Sequence, residues 1–119
     1  MLGFQTLDSY KLAIEFVVMA LEIVRELPRG HADDADQLRR SAKSIARNIA
    51  EGAGRASPQD KAHKYTVARG EAMESACTLD VLLAEGVVSA DRHKRGVELL
   101  ARIVSILTRS IQNQEAKTA

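Results

Sequence analysis

The residues of this sequence that could do chemistry lie on one predicted helix and are polar rather than nucleophilic. Arg40, Ser44, Asn48 and Glu51 follow one another at spacings of four, four and three, so they share one helix face. One interpretation of that face is a polar site that is open to a ligand or to the channel of a ring of subunits. The other is a hydrogen-bonded seam that is buried between the helices of one chain or between subunits. Because buried polar groups must be paired, we expect a seam in which Glu51 or Glu74 neutralises Arg40 and in which Asn48 and Glu51 are largely buried.

A second set of residues on the same helix is basic. Arg39, Lys43 and Arg47 repeat every four residues, and Arg55 lies just beyond them. This basic edge is a candidate contact for the phosphates of RNA or DNA, and a ring of identical subunits would repeat it and raise its avidity. The alternative is a solvated helix face. With a net charge of only +1, any nucleic-acid binding is expected to be weak, salt-sensitive and independent of sequence.

Metal and covalent chemistry have little support in the pattern. A di-iron bundle needs Glu-x-x-His pairs on facing helices, and no glutamate here has a histidine three residues later. His31, His63 and His93 are scattered, and we expect them to be exposed. Cys77 lies in the middle of a predicted helix, where a cysteine is usually a small buried hydrophobe. We therefore expect no metal, no cofactor and no enzymatic activity.

Size and composition fit one helical domain. The chain has 119 residues, of which 45% are hydrophobic and 28% charged, which excludes a disordered tail and a membrane protein. A single cysteine excludes an internal disulfide. The sequence shows no targeting segment and no apolar run long enough to span a membrane. We therefore expect a cytoplasmic protein without membrane contact.

Three breaks divide the chain into four helices. The first contains Pro28 and Gly30, the second runs from residue 52 to Pro58, and the third contains Gly86 and Ser89. No sustained alternation of period two predicts a strand. The predicted helices cover residues 8–26, 36–52, 58–85 and 90–112, in one domain of residues 1–113 followed by a frayed tail of residues 114–119.

The first helix predicts an oligomer. Apart from a narrow stripe of charges it is almost entirely apolar, whereas a helix of a four-helix bundle needs only one inward face. The surplus would form an exposed patch larger than monomers usually tolerate. An alanine edge on the second helix, at Ala46, Ala50 and Ala53, offers a second surface. Two different patches that meet head-to-tail generate a ring.

The second helix also carries a recognisable motif. Residues 38–55 read LRRSAKSIARNIAEGAGR. This segment resembles the signature of the four-helix-bundle family linked to intervening sequences in bacterial 23S ribosomal RNA genes, which reads approximately Arg-Ala-x-x-Ser-Ile-x-x-Asn-Ile-Ala-Glu-Gly-x-Gly-Arg. The resemblance implies an all-α, antiparallel up-down four-helix bundle. It also implies a ring-like homo-oligomer, typically a pentamer, with no catalytic residue.

The resemblance further suggests a class of function. The family includes the accessory variability proteins of diversity-generating retroelements, which are similar barrels that engage nucleic acid and a reverse transcriptase. Those relatives are strongly basic, whereas this chain is nearly neutral. The expected function is a non-enzymatic homo-oligomeric scaffold that binds another macromolecule, either nucleic acid or a nucleic-acid enzyme. The alternative is an assembly module that binds only protein.

Overall fold

The computed structural model describes residues 1–118 and consists of four long helices preceded by one short 3₁₀ turn. No strand occurs among these residues, so the predicted all-α class and the number of helices are confirmed. The 3₁₀ turn covers Gly3–Thr6, and the helices are α1 (Asp8–Glu26), α2 (Ala32–Ala53), α3 (Pro58–Ala84) and α4 (Ala90–Ala116).

The caps read from the sequence set two of the helix starts. The side chain of Ser57 accepts a hydrogen bond of 3.1 Å from the backbone N–H of Asp60, with Pro58 in the first helical position. The side chain of Ser89 accepts one of the same length from the N–H of Arg92. Gly86, just after α3, has a φ of +77°, a conformation that glycine adopts without strain.

Two helices are longer than predicted. Helix α2 begins at Ala32 rather than Asp36, because Asp33 and Asp34 lie in its first turn, where carboxylates are stabilised by the helix dipole. Helix α4 continues to Ala116, so the predicted frayed tail is helical over residues 114–116, which are good helix formers. The last residue of that tail lies outside the described residues.

The helices form an antiparallel bundle with a square cross-section. Helix α1 lies beside α2 and α4, and no Cα atom of α1 lies within 8 Å of one in α3. Contacts between α2 and α3 run in opposite directions along the chain: Ser41 meets Ser75, and Gly52 meets Tyr65. Consequently α1 and α3 occupy diagonal corners, and their outer faces point to different sides of the molecule.

The core is built mainly from aliphatic side chains and alanines. Phe16 is the one large aromatic ring that is completely buried, among leucines and isoleucines from all four helices. The buried Ser41 and Ser75 hydroxyl groups satisfy each other across α2 and α3, with their oxygens 2.7 Å apart, which avoids the cost of unpaired polar groups.

Helix α3 is rotated slightly from the prediction. Leu82 is completely buried, whereas its neighbour Leu83 is 37% exposed. Cys77 was expected to be buried and is exposed. The reason is the corner position of α3, which packs through Ser75, Leu79 and Leu82 and so turns Cys77 to the outside.

Candidate functional site

The N-terminal half of the predicted polar seam is an ion cluster between α2 and α3. The Arg40 guanidinium donates to a Glu71 carboxylate oxygen at 3.2 Å and also contacts the Glu74 carboxylate. A third bond goes to the Gln37 side chain at 3.0 Å. Glu71 is the most buried member, with its side chain 16% exposed. One arginine therefore holds two carboxylates together.

The two carboxyl groups of this cluster affect each other. Partial burial raises the pKa of Glu74, and the neighbouring Glu71 carboxyl raises it further through a hydrogen bond and charge repulsion. The positive charge of Arg40 acts in the opposite direction and lowers the pKa of Glu74. Arg40 is thus the group that makes two adjacent carboxylates tolerable at neutral pH.

The C-terminal half of the seam is different. Asn48 is half-buried, and its side-chain amide donates to the carbonyl and hydroxyl oxygens of Ser44 at 2.9 and 3.0 Å, within α2 itself. Glu51 is 53% exposed and pairs with Lys64 at 2.9 Å, which lowers the pKa of Glu51. The expected burial of Glu51 is wrong for the single chain, because this residue lies on the outward side of the last turn of α2.

We predict that Arg40→Ala destabilises the protein by about 1 kcal/mol at neutral pH, a value typical of a partly screened ion cluster. A carboxyl with a raised pKa favours folding below its ordinary pKa, and this contribution is lost as the pH rises through the raised value. Without Arg40 the pKa of Glu74 rises further. The difference in unfolding free energy between variant and parent should therefore be small at about pH 4 and grow toward pH 7.

Urea unfolding followed by circular dichroism at several pH values measures this difference. Arg39→Ala is the matched control, because Arg39 pairs only with the exposed Asp36, at 2.9 Å and three residues away on the same helix. Its effect should stay within about 0.5 kcal/mol. A loss for Arg40→Ala that does not change with pH would show that the carboxyl pair is not what Arg40 neutralises.

The basic edge lies on the outer side of α2 and is partly neutralised. Arg39 is paired with Asp36 as described above. Lys43 is half-buried, and Arg47 and Arg55 are exposed. Within residues 1–118 no carboxylate oxygen lies within 4.0 Å of the charged nitrogens of these last three side chains. Three of the four predicted cations are therefore available to an anionic partner.

Exposed apolar surface is confined to two of the four helices. Ile14 and Val18 of α1 are 39% and 53% exposed, and Met73 and Val81 of α3 are 55% and 41% exposed. Within residues 1–118, neither α2 nor α4 exposes a large hydrophobic side chain. The two apolar helices are the diagonal pair, so the molecule carries apolar surface on two separate sides.

The surface on α3 was missed in the sequence. Its members follow one another at spacings of three and four, and this spacing could have identified them as one helix face. The same helix also has inward-facing residues at such spacings, which made the outer set hard to recognise. No charged residue lies along the middle of this stripe. We call it the α3 outer face; it consists of the exposed residues Gly70, Met73, Cys77 and Val81.

The surface on α1 is a groove. It has a volume of about 320 Å³ and lies between α1 and α2, where apolar side chains meet small alanines and two cations at the rim. The alanine edge of α2 is thus not a separate second patch, as the sequence suggested, but one wall of the groove that α1 lines. We call it the α1–α2 groove; it is lined by Tyr10, Ile14, Val17, Lys43, Ala46, Arg47 and Ala50.

All three histidines were expected to be exposed, and two of them are not. The His31 and His93 side chains are 17% and 21% exposed, and each lies against a carboxylate, Glu85 at 3.3 Å and Asp80 at 2.7 Å. His63 is exposed as expected. The acidic partners come from the distant end of α3, which is why sequence spacing did not reveal these pairs.

The helices of residues 1–118 include none with an apolar stretch of the length and composition that crossing a bilayer requires.

Comparison with known proteins gives one family and one fold. Residues 5–109 match the family described as 23S rRNA-intervening sequence protein. A crystal structure from Bacteroides thetaiotaomicron, described as a protein with unknown function from the S23 ribosomal protein family, superposes with a TM-score of 0.81 at 23% identity. The match covers 87% of this chain and 97% of that chain. No curated protein matches the chain.

Proposed function

The chain belongs to the family of 23S rRNA-intervening sequence proteins, and we propose that it acts as a non-enzymatic, ring-like homo-oligomeric scaffold that binds another macromolecule. The observation that carries the proposal is that, among the four helices of residues 1–118, the large exposed apolar side chains lie on α1 and α3, the diagonal pair. Unpartnered apolar surface of this kind usually marks an interaction site.

The proposed contact places the α3 outer face of one copy in the α1–α2 groove of the next. Gly70 and Cys77 of this face are small and would let a partner helix approach closely. The groove offers apolar walls and the small residues Ala46 and Ala50. Its rim carries two cations, Lys43 and Arg47.

This contact is head-to-tail and favours a closed ring. The two surfaces differ, so each copy uses one to bind the copy before it and the other to bind the copy after it. The groove lies between α1 and α2 rather than at the outer corner of α1. Around the bundle axis, on the α2 side, the two surfaces are therefore separated by less than half a turn. Such an angle bends a chain of subunits toward closure. A ring of five, as the resemblance implies, is the assembly we propose.

The ring would bring the basic edge of every copy to one side. Helix α2 lies between the two contact surfaces, on the side toward which the ring bends, so Lys43 and Arg47 would repeat around the inner wall. Cations that are weak in one copy gain avidity when they are repeated. We propose RNA or DNA as the partner of this wall, since phosphates are the ligands that a row of such side chains binds.

The nucleic-acid part of the proposal predicts a steep salt dependence. Binding carried by phosphate contacts should weaken by about tenfold or more between roughly 50 and 200 mM salt. Fluorescence anisotropy with a labelled RNA and a labelled DNA oligonucleotide of mixed sequence measures it. Lys43→Glu combined with Arg47→Glu should abolish binding.

The control is Lys94→Glu combined with Arg109→Glu, which changes the net charge equally on two exposed residues of α4 and should leave most of the binding. Light scattering on the same samples separates a loss of binding from a loss of assembly. If the parent does not bind at micromolar protein and low salt, the alternative of a module that binds only protein is favoured.

A further inference from the structure

We propose that His31, Asp34 and Glu85 form a binding site for one divalent transition-metal ion, with Zn²⁺ the best fit. The three residues come from different parts of the chain. His31 precedes the first residue of α2, Asp34 lies in the first turn of that helix, and Glu85 caps the C-terminal end of α3. The site lies at one end of the bundle.

The distances fit a metal site. One ligand atom from each residue, a histidine ring nitrogen or a carboxylate oxygen, lies within 4.8 Å of the other two. Nδ1 of His31 lies 3.3 Å from Oε2 of Glu85. Ligands placed tetrahedrally at about 2.0–2.1 Å from Zn²⁺ are about 3.3–3.4 Å apart. The histidine and Glu85 therefore already stand at the separation of two zinc ligands.

The histidine nitrogen is buried and unsatisfied. Nδ1 of His31 is shielded from solvent and makes no hydrogen bond within residues 1–118, although it faces the Glu85 carboxylate. Buried polar atoms of this kind are rare and call for a partner. A metal ion between the ring and the carboxylates would supply one, because the neutral imidazole nitrogen is a common metal ligand.

The two carboxyl groups of the site also lie close together. A carboxylate oxygen of Asp34 and one of Glu85 lie within 4.8 Å of each other, and two ionised carboxylates this close repel each other. A cation between them would remove this repulsion. Glu85 follows the last turn of α3, where the negative end of the helix dipole adds to the attraction of a cation.

The donor set selects the class of ion. One imidazole nitrogen and two carboxylate oxygens suit Zn²⁺ or Co²⁺, whereas Mg²⁺ and Ca²⁺ prefer oxygen ligands alone. Three protein ligands leave a fourth position for water. The bound ion would join the start of α2 to the end of α3.

The test is a titration of the full chain with Zn²⁺ against a chelating dye. We expect one ion per chain, bound at about 10 µM or tighter. His31→Gln and Glu85→Gln should each weaken binding by at least about tenfold. His93→Gln is the matched control, because His93 faces only one carboxylate, that of Asp80, and Cys77→Ser controls for the exposed thiol; both should bind like the parent.

Co²⁺ gives a readout on the parent that does not depend on the folding of a variant. We expect visible absorption bands of the intensity typical of four-coordinate cobalt with nitrogen and oxygen ligands. A thiolate charge-transfer band would assign the ion to Cys77 and overturn the proposal. It would also be overturned by the absence of binding, or by binding that His31→Gln leaves unchanged while circular dichroism shows a folded variant.

Discussion

Met73→Lys is expected to convert the protein into a monomer of 13.0 kDa with unchanged helical content. Met73 is the most exposed large hydrophobic side chain of α3 at 55%, so the single chain loses little packing when it is replaced. In the assembly, the lysine would place an unpaired charge in an apolar contact whose rim is already positive. Burying such a charge costs several kcal/mol, and each 1.4 kcal/mol weakens association about tenfold.

Ile14→Lys on α1 should have the same effect through the other surface, since Ile14 lines the α1–α2 groove and is 39% exposed. Mixing the two monomeric variants then distinguishes a head-to-tail contact from a symmetric one. Met73→Lys retains an intact groove, and Ile14→Lys retains an intact α3 outer face. The mixture should form a capped dimer with twice the chain mass of 13.0 kDa, whereas neither variant should dimerise alone.

The control for both variants is Ser105→Lys, which places the same charge on an exposed residue of α4 and should leave the assembly intact. Size-exclusion chromatography coupled to light scattering measures all three masses. If Met73→Lys alone still dimerises while Ile14→Lys does not, α1 packs against α1 and the head-to-tail contact is wrong.

Gly52→Val is expected to reduce the stability of the folded chain by about 1–3 kcal/mol, the range for an overpacked interior position. A Cβ atom at residue 52 would lie 2.7 Å from the Tyr65 ring and 3.1 Å from Cβ of Lys64. Helices α2 and α3 lie in close contact here, just before the turn that joins them. The larger side chain must push α3 away and so loosen the contacts that follow along the pair.

Gly54→Ala is the matched control from the same motif. Its Cβ would meet backbone oxygens at 3.7 and 3.8 Å, which is ordinary contact, and its φ of −86° suits any residue. Thermal unfolding should therefore shift by less than about 2 °C for Gly54→Ala and by roughly 4 °C or more for Gly52→Val. Equal shifts for the two variants would show that close approach of α3 is not why residue 52 is glycine.

The sequence predicted the local features of the fold well. The caps at Ser57 and Ser89 and the breaks at Pro28 and Gly86 depend on neighbouring residues, so they can be read from the chain directly. Helix α1 has the predicted bounds. The errors at the start of α2 and the end of α4 concern terminal turns, where good helix formers extend a helix beyond its last buried residue.

The candidate surfaces were predicted less well because they depend on how the helices rotate against each other. Either Glu51 or Glu74 was expected to neutralise Arg40, and the structure shows Glu74 in that role together with Glu71. Glu51 and Cys77 were expected to be buried, but each lies on the outward side of its helix. The site at His31 joins residues 31 and 85, and no spacing in the sequence indicates that pairing.

The mass of the parent protein in solution tests the central claim most directly. Size-exclusion chromatography coupled to light scattering at tens of micromolar should give one species of close to five times the chain mass of 13.0 kDa. A mass near two chains would keep an oligomer but reject the ring. A stable species at 13.0 kDa would contradict the account, because the apolar faces of α1 and α3 would then be tolerated in water.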